Sequence, residues 1–313
     1  MDESSQPASK KEPLAGHVNI FLDALRIEKY YSPHTCRAYR HNVTEFIRLA
    51  ADMLGCQPNQ LYPQQIDRLT IRQYLAQLHE INGKRTVARK LAALRTFFDF
   101  LIRRRVVDTN PARAAHVPKQ PKPMAPCLTI DDIFRLIQAA AATDGVLGKR
   151  NLAMVETLYS AGIRVSELVG LNIEDVDLTG QVMHVRGKGR KQRMAPIGRQ
   201  AVKTLQDYLD ARPALAQLQT EHQALFLNKN GGRLSSRSVG RMVTQLMRRV
   251  GLTAPVSPHQ FRHAFATHMI DNGCDLRVVQ EILGHASLST TQKYTHVSLD
   301  HLMEVYDQAH PRH

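Results

Sequence analysis

The sequence predicts a mainly α protein with one small β-hairpin (α+β), built as two domains on either side of a proline-rich connection. Three observations predict it. Apolar residues recur at helical spacing along most of the chain. Two alternating runs flank Gly187-Lys188-Gly189-Arg190-Lys191, whose two glycines read as a hairpin connection. Asn110–Pro126 holds five of the fifteen prolines, each without a backbone donor and each biasing its predecessor away from the helical region. That places a flexible tail at 1–13, a first domain at 14–110, an extended linker at 111–126 and a second domain at 127–313. At 313 residues, each domain is long enough to bury a core of its own.

The first domain reads as about four helices. One opens around Val18–Leu25. Ser32-Pro33 is an N-cap followed by a first-turn proline, after which Tyr39, Val43, Phe46, Ile47 and Ala50 share a face. Thr70 is expected to cap a third helix carrying Ile71, Tyr74, Leu75 and Leu78, stopping near Gly83. Thr86 is expected to open a fourth, with Val87, Leu91, Leu94, Phe98 and Leu101 inward. Arg85, Arg89, Lys90 and Arg95 occupy its other faces, where they could grip phosphates or simply be solvated.

In the second domain Thr129 caps a helix bearing Ile133, Leu136 and Ile137, and Leu152–Tyr159 forms another that ends at Gly162. Gln181–Val185 and Gln192–Ile197 are the two strands. Helices then resume over Val202–Leu209, Val239–Leu246, Gln260–Ile270, Arg277–Leu283 and Leu299–Tyr306.

Forty-two Lys and Arg against 28 Asp and Glu give a net charge of +14. The excess is +6 in residues 1–110, +3 in 111–126 and +5 in 127–313, so it belongs to both domains and to the joint. A polyanion gripped by the whole molecule fits that distribution. No run of 18 apolar residues reads as a spanning helix, and the polar first thirteen residues do not read as a secretory signal. Cys36, Cys56, Cys127 and Cys274 form no CxxC pair, which fits reduced thiols in a cytosolic chain.

Four patterns carry chemistry. Arg164 follows a glycine turn in Ala161-Gly162-Ile163-Arg164-Val165-Ser166-Glu167-Leu168 and leads into a helix, where its donor fork suits an anion. Lys188 sits at the hairpin tip among Arg186, Arg190, Lys191 and Arg193. His259-Gln260-Phe261-Arg262-His263 places His259 and Arg262 one helical turn apart, with Phe261 and Phe265 facing the core. Leu283-Gly284-His285 ends a helix, and Tyr294 follows in Thr291-Gln292-Lys293-Tyr294-Thr295-His296. Each alone has an ordinary explanation: a surface ion pair, a solvated turn, a structural histidine pair, a packed tyrosine. Together they supply guanidiniums, imidazoles, an amine and a phenol without the carboxylate cage that magnesium-dependent phosphoryl transfer requires. They suit metal-free transfer at phosphorus.

This order of Arg164, Lys188, His259, Arg262, His285 and Tyr294 resembles the tyrosine recombinase (phage integrase) family. Ser32-Pro33-His34-Thr35 with Tyr39 is similar to that family's core-binding domain, so the resemblance spans nearly all of residues 14–310. It implies a SAM-like helical core-binding domain followed by a tyrosine-recombinase catalytic domain, closing as a clamp around DNA. It implies that Tyr294 attacks a phosphodiester to leave a 3′-phosphotyrosyl bond and a free 5′-hydroxyl, without ATP, cofactor or metal. Arg164 and Arg262 would hold the phosphate, with Glu167 orienting Arg164 from behind. Lys188 would be the general acid, His259 the proton acceptor and His285 a donor to the phosphorane. The segment His301–Arg312 is closest to the XerC branch, which resolves chromosome dimers. That implies a double-stranded DNA recombination site, a XerD-like recombinase in a heterotetrameric synapse, an FtsK-like translocase and a bacterial cytoplasmic setting. It also implies that the terminal helix packs into a neighbouring protomer. Asn172-Ile173 departs from the Arg-Trp frequent in relatives, which removes a basic contact but no catalytic group. The alternatives are a mobile-element integrase, a type IB topoisomerase-like enzyme, a catalytically silent DNA-binding regulator, and a metalloprotein using His259, His263 and His268.

Overall fold

The computed structural model describes residues 12–28, 31–115, 127–187, 192–216, 223–252, 258–284 and 299–312. The chain divides into two compact units, Met1–Pro123 and Met124–His313.

The first unit is helical: α1 (His17–Ile27), α2 (Pro33–Met53), α3 (Arg68–Ile81) and α4 (Lys84–Arg103). Ser32 accepts from the Thr35 amide at 3.2 Å, and Pro33 starts α2 where no amide partner is needed. The apolar faces meet in an aromatic core. Phe21 meets Phe97 with centroids 5.1 Å apart, and Phe46 meets Tyr74 at 5.0 Å, both edge to face. Two helix starts differ from the sequence expectation. Asp67, not Thr70, caps α3: its Oδ1 accepts from both the Thr70 amide and the Thr70 hydroxyl at 2.8 Å, and Thr70 is buried. A carboxylate is the better acceptor for exposed helix amides. Helix α4 begins at Lys84, directly after Gly83, so Thr86 lies inside its first turn.

Of the four basic residues singled out on α4, Lys90 and Arg95 are internal fasteners. Lys90 is buried, with Nζ 2.6 Å from Glu45 of α2. Arg95 donates to the carbonyls of Ala112 and Ala115, while buried Asn110 donates to the Arg95 carbonyl at 3.0 Å. Arg95 thereby ties the chain leaving α4 back onto that helix. Arg85 and Arg89 remain exposed.

The second unit contains α5 (Ile130–Ala141), α6 (Gly145–Ser160) and α7 (Val165–Gly170). Strands β1 (Val176–Asp177), β2 (Val182–Arg186) and β3 (Gln192–Pro196) come next. They are followed by α8 (Arg199–Ala211), α9 (Pro213–Ala216), α10 (Ser236–Arg249), α11 (His259–Asp271), α12 (Leu276–Leu283) and α13 (Leu299–Ala309). Helix α6 is the axis of this unit. Ala153 through Ser160 are all buried, and α5, α8 and α11 pack around it. A helix covered on every side has no apolar stripe, and this describes Ala153–Ser160. The first two turns are partly exposed and carry Gly145 and Gly148, which weaken any helical pattern there. The sheet is antiparallel in the order β1-β2-β3, with Val185 opposite Arg193 and Arg186 opposite Gln192. The two expected strands pair antiparallel, their connection at 188–191 lies outside the described residues, and β1 adds a third strand too short to show alternation.

Within this one chain, the terminal helix α13 packs on its own domain. The Tyr306 ring is fully buried, and its hydroxyl lies 2.7 Å from Ser160 Oγ. Asn272 donates to the Ala309 carbonyl at 2.8 Å, and Arg312 Nε donates to Glu156 at 3.1 Å. Glu156 is buried in α6 and needs a counter-charge, so the helix meets its chemical partners within the same unit.

Candidate active site

The site is built where three turns of backbone meet. Gly162 closes α6 with φ of +56°, and a Cβ there would lie 2.5 Å from the Phe265 ring of α11. Only glycine permits both that dihedral and that approach. The turn delivers Arg164 to the N-terminus of α7. Its backbone amide donates to Glu167 Oε2 at 2.8 Å, and its Nη1 donates to Oε1 at 2.8 Å. Glu167 is thus both the cap of the helix and the brace of the guanidinium. The Glu167 side chain is 4% exposed while that of Arg164 is 36% exposed, leaving the guanidinium an open edge.

Arg262, on α11, enters from the other side and is buried. Its Nη1 donates to the Gly162 carbonyl at 3.0 Å, and its Nη2 to the Leu283 carbonyl at 2.6 Å. One guanidinium therefore holds the turn before Arg164 and the last residue of α12. Burial, and then the positive charge of Arg164, lowers the pKa of Arg262 to about 10. Neighbouring guanidiniums that repel each other this way form a place for an anion.

A third arginine completes the cluster. Arg193 of β3 donates both terminal nitrogens to Glu167, at 3.0 and 2.9 Å, and its Nε to the Ile282 carbonyl at 2.9 Å. Burial pushes the Glu167 carboxyl up, but the Arg193 fork, the Arg164 amide and the two charges together hold it below the usual range. Two arginines on one carboxylate, with Arg262 on the carbonyls beside them, leave a surplus of positive charge.

Of the sequence-predicted residues, Arg164, Glu167 and Arg262 come together here. His259 is exposed at the first turn of α11, whereas Arg262 turns inward, so the two do not present a common open face. Lys188, His285 and Tyr294 lie outside the described residues. Buried His268 meets the Tyr159 hydroxyl at Nδ1, 2.9 Å away, while His259 and His263 are exposed, so these three do not converge as a ligand set. Sequence reasoning missed Arg193 by grouping it with the solvated hairpin tip. The signal was its register: Arg193, Ala195 and Ile197 alternate with Gln192 and Met194, which puts the arginine on the core-facing side.

A second feature was not anticipated. On α10, Val239, Met242, Val243, Leu246 and Met247 are buried, while Arg237, Arg241, Thr244, Gln245 and Arg248 form one exposed stripe. That stripe lines an open cleft of about 590 Å³. Exposed arginines at helical spacing, interleaved with hydrogen-bonding side chains, suit a phosphate backbone.

The phage integrase family matches residues 126–301, and the phage integrase N-terminal SAM-like domain matches residues 18–105. The tyrosine recombinase XerC of Pelobacter propionicus is 44% identical over 301 residues, covering 96% of this chain and 97% of that protein. XerC of Thermodesulfovibrio yellowstonii is 42% identical over 299 residues, covering 94% and 96%. Among solved structures, the Tn1549 transposon integrase in complex with circular intermediate DNA superposes with a TM-score of 0.69. It is 18% identical, with coverage of 92% of this chain and 97% of that one. The XerH site-specific recombinase bound to its difH substrate gives a TM-score of 0.63 at 20% identity, covering 96% and 84%. These two structural likenesses establish the fold, and the family matches and close relatives establish the lineage. The chain belongs to the phage integrase family of tyrosine recombinases.

Proposed function

We propose that this chain cuts and rejoins double-stranded DNA at a specific recombination site through a 3′-phosphotyrosyl bond on Tyr294. The observation that carries the reading is the cluster of Arg164 and Arg262, with surplus positive charge around the single carboxylate Glu167. Two guanidiniums at the non-bridging oxygens neutralise the charge that builds up in a pentacoordinate transition state, and they do so without a metal. Tyr294 Oη attacks phosphorus as His259 takes its proton. The P–O5′ bond breaks, and Lys188 gives a proton to the departing 5′-oxygen. His285 donates to a phosphorane oxygen. The 5′-hydroxyl of a partner strand then attacks the phosphotyrosine, so the number of phosphodiester bonds is conserved and no ATP is needed.

The sequence relationship to XerC proteins supports a role in resolving chromosome dimers at the replication terminus. On this reading the chain works in the bacterial cytoplasm with a XerD-like recombinase in a heterotetrameric synapse, governed by an FtsK-like translocase. The exposed arginine stripe of α10 supports the grip on duplex DNA.

The test is covalent trapping on a nicked duplex carrying the terminus recombination site of the host chromosome, in excess EDTA. Wild-type protein is expected to form a protein–DNA adduct, and Tyr294→Phe to bind the duplex but form none. An adduct on Tyr294→Phe, or strict dependence of cleavage on magnesium, overturns the proposal.

A further inference from the structure

We propose that Arg193 is a positioning residue for DNA cleavage. It fixes the Glu167 carboxylate behind Arg164 and, through the Ile282 carbonyl, the end of α12 from which the chain runs on toward His285 and Tyr294. The inference rests on the functional reading given above.

A strand arginine on a carboxylate is ordinarily a fastener. Arg193 differs in where its donors end. Both terminal nitrogens meet Glu167, which itself holds Arg164 at two points. Its Nε meets the Ile282 carbonyl, and the next carbonyl, Leu283, is held by Arg262. Two arginines thus occupy consecutive carbonyls at the negative end of α12. Gly284 follows with φ of +64°, and a Cβ there would lie 2.7 Å from Arg193 Cδ, so the turn and the arginine are fitted to one another. The side chain is 13% exposed and turned to the inner face of the sheet. Among the described residues, it is the side chain that bonds both Glu167 and the last turn of α12. Lysine cannot replace it, because a single ammonium cannot hold a bidentate carboxylate and a carbonyl in this fork geometry.

The experiment uses full-length Arg193→Met, Arg193→Lys and the double variant Arg193→Met with Glu167→Gln. The probe is the nicked duplex described above. Single-turnover adduct formation, half-site affinity and the pH dependence of cleavage are measured, with limited proteolysis within residues 285–298. Arg193→Met is expected to cleave about 30-fold more slowly, in keeping with the cost of a small misplacement at a reacting centre. Half-site affinity should stay within about threefold, because the lost interaction acts on the reacting groups. The acidic limb of the rate profile should move up by about one pH unit as Glu167 loses a cation, and the double variant should lack that movement. Arg193→Lys should likewise keep its affinity without regaining the full rate. Proteolysis within 285–298 should accelerate in Arg193→Met.

Three results overturn the inference: a wild-type rate with an unmoved pH profile, losses of rate and affinity in equal proportion, or unchanged proteolysis. Absence of a wild-type adduct would reject the functional reading itself. The proteolysis comparison would then decide alone whether Arg193 fixes this end of α12.

Discussion

Glu156 and Glu167 stand eleven positions apart in the same unit, both buried and both facing arginine, yet the protein treats them in opposite ways. Glu156 has one guanidinium, that of Arg312, and burial pushes its carboxyl up despite that partner. Glu167 has the Arg193 fork, the Arg164 side chain and the Arg164 amide, which together overcome burial and hold it down. The first arrangement balances one charge with one charge and fastens a helix. The second leaves positive charge over, and burial and the Arg164 charge lower the pKa of Arg262 beside it to about 10. Surplus charge held in place by a buried brace is what an anion site needs, whereas balanced charge is what a closed core needs.

The sharpest way to break the comparison is to remove the surplus. Arg262→Lys cannot hold the Gly162 and Leu283 carbonyls together. DNA cleavage is expected to fall by about 10²- to 10³-fold, the usual cost of losing one preorganised donor, while half-site binding persists. Covalent trapping beside a gel-shift titration measures both. Unchanged cleavage would mean that the surplus charge plays no part in the chemistry.

The balanced pair should fail differently. Arg312→Ala leaves Glu156 as a bare buried carboxylate, and removing one partner of such a pair typically costs about 3–5 kcal/mol. Adding Glu156→Gln should return much of that loss, because the amide has no charge to neutralise. Denaturant unfolding of the single and double variants measures the cycle. If the second change gives no recovery, the terminal helix is held by Tyr306 and Ser160 and not by this ion pair.

What the sequence made legible follows from these contrasts. Helices with one solvated face were readable from period alone, as in α2, α5 and α10, and the six-residue order of reactive groups was enough to place the chain in its family. Position-specific electrostatics were not readable. Lys90 and Arg95 count as basic surface in any charge census, yet Glu45 and two backbone carbonyls consume them. Arg193 looks like its neighbours at the hairpin tip until the register of β3 turns it inward. Helix α6 hides its start because Gly145 and Gly148 read as breakers and the exposed Leu147 interrupts any single apolar face. The partners of the terminal helix within its own chain were not readable either, because an apolar face names none. Ser160 and Glu156, which receive it, lie some 150 positions earlier in the chain.

The smallest expected effect sharpens the comparison most, because it predicts opposite signs. A carboxyl whose folded pKa lies above its ordinary 4.5, as at Glu156, contributes stability that is complete below that value and is lost as pH rises through the folded one. Glu167, held below 4.5, contributes stability present above that value and lost as pH falls through its folded pKa. Glu156→Gln should therefore gain stability relative to wild type as pH is raised from about 4 to 7, and Glu167→Gln should lose it as pH is raised from about 3 to 5. Each slope must be taken as a difference from wild type, so that the rest of the protein's titration cancels. Chemical denaturation of the three full-length proteins at half-unit pH intervals gives both. Slopes of the same sign would mean that the two glutamates share one environment, and that the division between fastening and binding drawn from their partners is mistaken.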